Sequence, residues 1–417
     1  MSGPSAGEHR PHRDVWVCAD RLWDGTADRP ATGIGVLVRD GRVAELTAAP
    51  PESTDTDTVE LPGCTLLPGF IDCHVHTLDE RLDTASAAYQ TLHALPALRT
   101  LLTCGFTTVR DLGGAHQALN TALRRAVHEG LVTGPRMLVA PNVLSPRGGH
   151  ADKTPELAER YGIEIGTLAD GPEELRRAVR QQARAGADWI KFVASGGFSS
   201  PVDSPDDTAY SQAEMNVLAS TARDVHLPCA AHAFDDESIT RAIRAGVRSI
   251  EHACLATPSA YALMAEYGTY LVPTQYAQTF FLRGLDDEGL WAFQPPHMRR
   301  VYRRYADELR EGMRRPARTD VKIAFGTDAG MFPYAQSWRE FPTLVEHGMS
   351  PLRALRAATC VAAELLGRPD LGRIAPGSTA DLVALRGDPF RDIDATGRVV
   401  YVMQGGHRVP LESRCGR

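Results

Sequence analysis

Residues 67–76 read LPGFIDCHVH, a short apolar stretch that ends in two histidines separated by one residue. Because side chains alternate across a β-strand, His74 and His76 are expected to point to the same side at the end of this strand. Two imidazoles at that separation suit a divalent metal ion. Two partly exposed histidines at an ordinary strand end would show the same pattern, so the rest of the sequence has to decide between these readings.

Seven further short apolar segments follow this one, and amphipathic segments with apolar residues at helical spacing separate them. The eight segments are LPGFIDCHVH (67–76), GFTTVRDLGG (105–114), RMLVAPNVL (136–144), DWIKFVASGG (188–197), LPCAAHA (227–233), VRSIEHA (247–253), TYLVPTQ (269–275) and VKIAFGTDAG (321–330). Short apolar strands that alternate with helices are typical of parallel strands buried on both faces. The sequence therefore predicts an α/β protein with a (β/α)8 TIM barrel.

Strand and turn signals dominate both ends of the chain. GIGVLVRDGRVAEL (33–46) contains a hairpin turn, and ADLVALRGD (380–388) and RVVYVMQGGHRV (398–409) follow the last helical segments. We expect these segments to pair as one small β-sandwich domain. The predicted organisation is a disordered tail at 1–13, the sandwich at 14–66 and 373–417, and the barrel at 67–372.

The composition excludes several classes of protein. The hydrophobic content of 43% and charged content of 23% are ordinary for a globular protein, and the net charge of −7 argues against nucleic acid or an anionic membrane as a partner. No apolar run approaches the ~18 residues that span a bilayer, and the first residues do not resemble a signal peptide. The eight cysteines are scattered without a CxxC motif. These features predict a cytoplasmic protein with reduced thiols.

The ends of the predicted strands carry a recurring set of polar residues. Active sites of TIM barrels lie at the carboxyl ends of the strands, so these side chains should converge on one site. Six of them are of metal-ligand type or can become so: His74, His76, Lys191, His232, His252 and Asp328. A set of six in register with the barrel period favours the metal site over the ordinary strand end.

Lys191 needs a separate explanation, because a metal ion repels an ammonium group. The chain has 45 basic residues, of which only three are lysine. A desolvated lysine can lose its proton, and the neutral amine can take up CO2 to form an anionic carbamate that bridges two metals. The alternative is a lysine whose ammonium group reaches the barrel rim.

These motifs resemble the amidohydrolase superfamily, and specifically the imidazolonepropionase-related group that contains metal-dependent Xaa-Pro and Xaa-Arg dipeptidases. The resemblance covers residues from about 14 to 410 and includes the stretches DWIKFVASGG, GVRSIEHACL and KIAFGTDAG. It implies two divalent metal ions, usually zinc, with a bridging hydroxide and a carboxylated Lys191. His74, His76 and Asp328 would bind the first ion, and His232 and His252 the second.

The resemblance also implies catalytic roles. Asp328 would accept a proton from the attacking hydroxide and pass it to the departing amine. His150, after two glycines, would donate to the developing oxyanion, or alternatively cap its own loop. Phe234 stands where members of the group often carry Tyr or His, which removes a hydrogen-bond donor near the carbonyl group. The predicted substrate-binding residues are His150, Phe234, Gln275, Tyr276, Met331, Phe332 and Tyr334.

The predicted function is hydrolysis of an amide or peptide bond in a small peptide or modified peptide. One form of it is the removal of a follower peptide in a bottromycin-type natural product pathway, and the alternatives are an Xaa-Pro or Xaa-Arg dipeptidase and a mononuclear deaminase or cyclic-amide hydrolase. The enzyme is also a candidate homo-oligomer. Residues 298–318 are predicted to form a solvated outer helix rather than a dock for an acidic peptide.

Overall fold

The computed structural model describes residues 14–52, 55–79, 82, 84–114, 118–152 and 166–411. The predicted disordered tail at 1–13 lies outside the described residues, as do the last six residues of the predicted second sandwich segment. In the described part of the chain, no helix is both long enough and apolar enough to cross a membrane.

The strands of the described chain fall into a terminal group and a central group. They are β1 (Asp14–Leu22), β2 (Gly35–Arg39), β3 (Arg42–Thr47), β4 (Thr56–Pro68), β5 (Phe70–Val75), β6 (Phe106–Asp111), β7 (Arg136–Val139), β8 (Val143–Ser145), β9 (Thr167–Leu168), β10 (Ile190–Val193), β11 (Cys229–Ala233), β12 (Ser249–His252), β13 (Tyr270–Val272), β14 (Leu382–Arg386), β15 (Val399–Gln404) and β16 (His407–Arg408).

The α-helices lie between the central strands and after the last of them. They are α1 (Ala87–Thr103), α2 (Leu119–His128), α3 (Gly171–Arg184), α4 (Gln212–Asp224), α5 (Asp236–Ala245), α6 (Pro258–Tyr267), α7 (Gln275–Arg283), α8 (Glu288–Trp291), α9 (Pro296–Arg304), α10 (Ala306–Gly312), α11 (Glu340–Glu346), α12 (Pro351–Ala357) and α13 (Cys360–Leu366). Short 3₁₀ helices span Pro316–Arg318, Tyr334–Arg339 and Ile393–Gly397.

The two ends of the chain form one sheet in the order β16-β15-β14-β4-β1-β2-β3. In β14, alternate side chains serve two different cores, as the two-residue period of a strand requires. Leu382 and Ala384 face the core inside the small domain, whereas Val383 and Leu385 pack into the core shared with the barrel. The sheet also curls, because Val43 donates to the carbonyl of Ser378 over 2.9 Å and so joins the edge strand β3 to the segment before β14.

The transition from sheet to barrel occurs at Gly69. β4 extends through Pro68, which pairs with Leu382 of β14, so the sheet continues two residues beyond the predicted end at residue 66. A Cβ atom at Gly69 would lie 2.3 Å from the Oγ1 atom of Thr107. Only glycine therefore permits this close approach of β4 to the strand that follows α1.

The central strands form the predicted TIM barrel, which the comparisons below also support, but the third strand is divided. Arg136–Val139 pairs with β6, while Val143–Ser145 pairs with β10. Pro141 lies between the two halves, and proline has no N–H group to donate to a ladder. The predicted single strand at 136–144 is therefore two short strands.

The eighth barrel strand is an extended segment, residues 321–330, that bridges to its neighbours at isolated positions. Leu271 of β13 donates to the carbonyl of Lys322 over 2.9 Å, and Cys73 of β5 donates to that of Phe325 over 2.8 Å. These hydrogen bonds join the last strand to both the seventh and the first. They close the barrel and bring Asp328 beside His74.

The helices after β13 differ from the prediction. Residues 298–318 form parts of α9, α10 and a 3₁₀ helix, and their arginines mostly face outward. Their inner face is buried, however, with Met298, Tyr302 and Leu309 in an aromatic cluster. The prediction of a solvated outer helix is therefore wrong for this face, because the apolar residues spaced along it pack over the mouth of the barrel.

Candidate metal centre and active site

The six predicted ligand residues lie together at the carboxyl ends of the barrel strands, where they line one cavity of about 90 Å³. The ring centroids of His74 and His76 are 5.3 Å apart, those of His74 and His252 are 5.0 Å apart, and those of His232 and His252 are 4.6 Å apart. The strand alternation and the barrel closure therefore bring together residues that are up to 254 positions apart in the sequence.

Three of these residues form a compact set of possible metal ligands. Each of His74, His252 and Asp328 offers one ligand atom, and these atoms all lie within 4.8 Å of one another. The Oδ1 atom of Asp328 is 3.5 Å from Nε2 of His74 and 3.2 Å from Nε2 of His76. Imidazole nitrogens and a carboxylate at this spacing could hold a divalent metal ion.

Each histidine has one ring nitrogen engaged outside the cluster. Nδ1 of His74 contacts Glu251 at 2.8 Å, Nδ1 of His76 contacts the Gly113 carbonyl at 2.6 Å, and Nδ1 of His252 contacts the Thr274 hydroxyl at 2.7 Å. His232 is bonded through Nε2 instead, 3.1 Å from the carbonyl of Gly196. A hydrogen bond to one ring nitrogen orients the other toward a metal.

Burial keeps three of these four imidazoles in the form that binds metal. Desolvation, followed by the positive charge of Lys191, lowers the pKa of His74 to about 4. Burial also lowers the pKa of His232 and that of His252 well below the usual value. A neutral imidazole is the ligand form of histidine.

Lys191 has the position that a bridging group would require. Its side chain lines the cavity, and its Nζ atom is buried without a hydrogen-bond partner among the described residues. Burial lowers the pKa of Lys191 to about 8. A buried amine without a partner is costly, so the environment of Lys191 fits a site in which a bound group contacts its Nζ atom.

A buried charge network that the sequence motifs did not predict lies behind the candidate ligands. Glu251 accepts hydrogen bonds from Arg110 over 2.9 Å and from Ser249 over 2.5 Å, in addition to its contact with His74. Arg110 also donates to the carbonyl of Cys73 over 2.6 Å, and its guanidinium stacks on Trp189 at 4.4 Å. The available signal was a Glu immediately before a predicted ligand and an Arg inside an apolar strand.

Asp72 forms a second support beneath the site. It accepts hydrogen bonds from the backbone of His74 over 3.1 Å and from the hydroxyl of Thr327 over 2.6 Å. It therefore ties the first barrel strand to the last, directly before Asp328. Burial raises the pKa of Asp72 to about 7.

Several residues of the site have left-handed backbone conformations. The φ angles of His252, Thr274 and Asp328 are +73°, +46° and +61°. Such angles are unfavourable for residues other than glycine and persist at functional sites where the surrounding structure enforces them. Here they turn the chain sharply at the strand ends, so that the ligand side chains point into the cavity.

His150 lies beside the second pair of predicted ligands. Its ring stacks on His232 with centroids 4.5 Å apart and planes 19° apart. Its Nε2 atom lies 3.4 Å from the Ser199 hydroxyl, and its Nδ1 atom lies 3.5 Å from a carboxylate oxygen of Asp203. The position faces the cavity and is compatible with the predicted oxyanion donor.

The remaining cavity wall is largely aromatic. Phe234 is buried, stacks on His252 at 5.1 Å and meets Phe198 edge-on at 4.9 Å. Met331, which was predicted to contact the substrate, also lines the cavity. Gln278 and Tyr302 line it as well, and neither was among the predicted site residues.

Four predicted substrate-binding residues do not line this cavity. Gln275 donates to the Met313 carbonyl over 2.7 Å, and Tyr276 donates to Gln336 over 2.5 Å. Phe332 packs edge-on against Tyr276 at 4.8 Å. Tyr334 donates to the carbonyl of His76 over 2.8 Å. The first three side chains are engaged in contacts around α7, and Tyr334 is bonded to the backbone next to β5, so proximity in sequence to Thr274 or Asp328 is a poor guide to their direction.

Known proteins are similar to this chain in both sequence and fold. The sequence profile of the amidohydrolase family matches residues 65–409. A protein named ochratoxinase, from Aspergillus niger, is 32% identical over 373 residues, which cover 82% of this chain and 75% of that protein. A crystal structure of an Xaa-Pro dipeptidase with bound methionine is 32% identical, with a TM-score of 0.87 and coverage of 95% of this chain and 99% of that one. A prolidase crystallised with N-methylphosphonate-L-proline is 34% identical, with a TM-score of 0.86 and the same coverage.

These similarities confirm the resemblance inferred from the strand-end motifs, and they confirm the barrel with its small β domain. The matched region includes every residue of the predicted ligand set. The protein is therefore a hydrolase of carbon–nitrogen amide bonds. With a profile match over residues 65–409 and a cavity built from the ends of the barrel strands, the chain belongs to the amidohydrolase family.

Proposed function

We propose that this enzyme hydrolyses an amide bond in a peptide-like substrate at a binuclear metal centre. The observation that carries the proposal is the convergence of four imidazoles, one carboxylate and one orphaned lysine amine on a single cavity. A site for one metal does not require the lysine. A bridging group on Lys191 would account for all six residues at once.

The residues divide into two candidate ligand sets. His74, His76 and Asp328 would hold one divalent ion, and His232 and His252 would hold the other. The metal we propose is zinc, which imidazole and carboxylate ligands suit. When bound, a pair of such ions supplies an activated water and polarises the scissile carbonyl.

Lys191 would join the two sets as a carbamate. Its neutral amine attacks CO2, a new N–C bond forms, and one proton is released to solvent. The product is an anionic carboxylate attached to Nζ. This chemistry accounts for a buried Nζ atom without a protein partner, and arginine cannot perform it.

Asp328 and His150 would carry out the proton transfer and the charge stabilisation. Asp328 accepts a proton from water as the C–O bond forms, and it returns that proton to the nitrogen as the C–N bond breaks. Burial would raise the pKa of Asp328, but the neighbouring His74 and His76 outweigh it and hold this pKa below its usual range. His150 donates to the carbonyl oxygen as negative charge develops there. Water and the amide become a carboxylate and a free amine.

The substrate we propose has a bulky apolar group beside the scissile amide. Phe198, Phe234 and Met331 line the cavity, and an apolar wall binds large hydrophobic groups well. The names of the similar proteins point to two candidates, an Xaa-Pro dipeptide and the substrate of an ochratoxinase. A constrained or modified peptide, including a follower peptide to be removed, is the third candidate, since shape can position it without the donor that Phe234 lacks.

The test combines metal content with a substrate panel. The purified protein is assayed for zinc and other divalent metals, and hydrolysis is followed with Xaa-Pro and Xaa-Arg dipeptides, N-acyl amino acids and a macrocyclic peptide. We expect close to two metals per chain, loss of activity after chelation, and the highest kcat/KM with the bulkier substrates. Asp328→Asn should reduce kcat by about 10²–10⁴-fold, whereas Asp320→Asn on the exposed surface should not.

Two results would contradict the proposal. Full activity with one metal per chain would exclude the binuclear centre. Ammonia release from a nucleobase or ring opening of a cyclic amide, without cleavage of any peptide, would favour the mononuclear deaminase or cyclic-amide hydrolase instead.

A further inference from the structure

A tyrosine–glutamine pair forms part of the cavity wall. Gln278 of α7 and Tyr302 of α9 both line the cavity, with exposures of only 4% and 1%. The Tyr302 hydroxyl donates to Oε1 of Gln278 over 2.9 Å. The ring of Tyr302 also contacts Phe198 and Phe281, with centroid distances of 4.9 and 5.1 Å. The pair is therefore held in one arrangement by packing as well as by its own hydrogen bond.

The hydrogen bond determines which end of the Gln278 amide is left available. Because Oε1 accepts from Tyr302, the Nε2 group is free to donate, and no described residue accepts a hydrogen bond from it. Because the Gln278 side chain is only 4% exposed, a donor that finds no partner there is poorly compensated for the water it has lost. A group that occupies the cavity is the expected partner.

Phe234 cannot provide an equivalent donor on its side of the cavity. Its side chain stacks on His252, and its backbone N–H group is already engaged with the Ser195 hydroxyl over 3.1 Å. An uncharged donor on this wall of the cavity can therefore come from the helices that follow β13, but not from Phe234.

The pair provides an uncharged hydrogen-bonding surface. Burial raises the pKa of Tyr302 well above its usual value, so the hydroxyl stays protonated. Among the described residues that line the cavity, Lys191 is the only lysine or arginine, and it belongs to the candidate metal site. A carboxylate bound at this pair would lose hydration without gaining a counter-ion from either of the two side chains, whereas a carbonyl group would lose far less.

We propose that Gln278 and Tyr302 form a specificity site for an uncharged carbonyl group in the departing amino acid. The site then favours substrates in which that amino acid carries an amide or a further peptide bond over substrates in which it carries a free carboxylate. This inference rests on the proposed function, because it assumes that an amide bond is hydrolysed at the neighbouring metal centre.

The test uses two substrates with the same scissile bond, N-benzoyl-L-phenylalaninamide and N-benzoyl-L-phenylalanine. We expect the wild-type enzyme to prefer the amide. Gln278→Met should raise KM for the amide by about tenfold with kcat unchanged, the effect of one lost hydrogen bond in binding. KM for the free acid should hardly change, so the preference should fall. Tyr302→Phe should act in the same direction and more weakly, because it releases Gln278 without removing its donor.

The chain contains a matched control. Tyr276 donates to Gln336 over 2.5 Å in a second tyrosine–glutamine pair, and Gln336 does not line the cavity. Gln336→Met should leave both KM values and the substrate preference at the wild-type level. Metal content, measured for every variant, should also stay at the wild-type level.

Clear outcomes would overturn the inference. An unchanged KM and preference in Gln278→Met would do so, as would a wild-type enzyme that prefers the free acid. If the wild-type enzyme cleaves neither compound, the proposed function fails for this substrate class, and calorimetric binding of N-benzoyl-L-phenylalaninamide decides the role of the pair. Binding about tenfold weaker in Gln278→Met supports the site, while equal or undetectable binding rejects it.

Discussion

At the scale of single residues, Lys191 combines an unusual residue type with an unusual environment. Its Nζ atom is buried beside four histidines and an aspartate without a described partner. The side chain of Lys191 could be an ammonium group, a neutral amine or a carbamate, and each of these forms would affect metal binding differently. Only the carbamate adds negative charge between the two ligand sets.

We expect Lys191→Ala to lose one or both metals and to lower kcat/KM by more than about 100-fold. Residues that only hydrogen-bond to a metal ligand already change metal affinity or activity by up to about 100-fold when they are mutated. Propionate added to this variant should restore part of the activity and of the metal content, because its carboxylate can occupy the space of the carbamate. Metal analysis and kinetics over a range of propionate concentrations check both statements.

The control for this prediction is Lys322→Arg. Lys322 is exposed and pairs with Glu364 at 2.5 Å, a contact that arginine can keep. It should retain native activity and metals. If Lys191→Arg also retained both, the carbamate would have no role.

Gly197 is a second position at which one atom matters. A Cβ atom there would lie 2.2 Å from Cε1 of His150, so even alanine would displace the imidazole. We expect Gly197→Ala to lower kcat/KM by roughly 10²-fold, the effect of about 1 Å of misplacement, with metal content retained. Gly289→Ala in α8, where the nearest side-chain atom is 3.2 Å away, should be close to native. Native kinetics in Gly197→Ala would mean that the stacked position of His150 is not needed.

At the scale of elements, α7 is held at its start by groups far apart in the sequence. The carboxylate of Glu340 accepts from the backbone N–H groups of Gln275 and Tyr276 over 3.0 and 2.5 Å, which caps the helix. His347 also contacts Oε1 of Gln275 at 2.7 Å. These contacts position the helix that carries Gln278.

His347 makes stability depend on pH in a defined direction. Burial lowers its pKa to about 4, against about 6.5 in an unfolded chain. Between these values the unfolded state binds the extra proton and the folded state does not, so this histidine makes the protein less stable as the pH falls from 6.5 toward 4. His347→Gln keeps a donor for Gln275 but does not titrate, and its free energy of unfolding should fall less steeply over this range.

Urea unfolding of the metal-loaded proteins between pH 4.5 and 7.5 measures the effect. The difference between wild type and variant isolates His347, because the other histidines contribute equally to both. His128→Gln, on the exposed surface of α2, serves as the control and should follow the wild-type curve. Parallel curves for wild type and His347→Gln would contradict the prediction.

At the scale of the whole molecule, the small domain is joined to the end of the barrel opposite the active site. Asp381 accepts from Arg136 over 2.7 Å and from the backbone of Gly405 over 2.7 Å, and Gln404 donates to the carbonyl of Thr107 over 2.8 Å. The two parts also share one hydrophobic core. They should therefore unfold in a single transition.

Asp381→Ala should lower the free energy of unfolding by about 1–3 kcal/mol, because it removes a buried acceptor from two half-buried donors, the Arg136 guanidinium and the Gly405 N–H group. Activity and metal content should remain native, since Arg136 begins β7 at the barrel end away from the cavity. Urea unfolding measures the loss of stability, and steady-state kinetics with metal analysis check that activity and metal content are retained. Asp307→Ala, which removes a surface ion pair with Arg310, is the control and should change stability little. A loss of activity in Asp381→Ala at full folding would show coupling across the barrel.

The amino-acid sequence alone was sufficient to predict the barrel, the family resemblance and the candidate ligands. The reason is that these depend on local patterns: apolar strands of fixed period, and polar residues at their carboxyl ends, which one barrel geometry must bring together. His74, His232 and Asp328 could be selected for this reason without knowledge of any long-range contact.

Which other side chains reach the site could be seen only in the folded protein. Gln275 and Tyr276 follow a barrel strand but turn into helix packing, whereas Gln278 and Tyr302 enter the cavity from two packed helices. The support of His74 by Glu251 and Arg110 is likewise a contact between different strands. The direction of these side chains is set by helix packing and by strand-to-strand contacts, which no local pattern specifies.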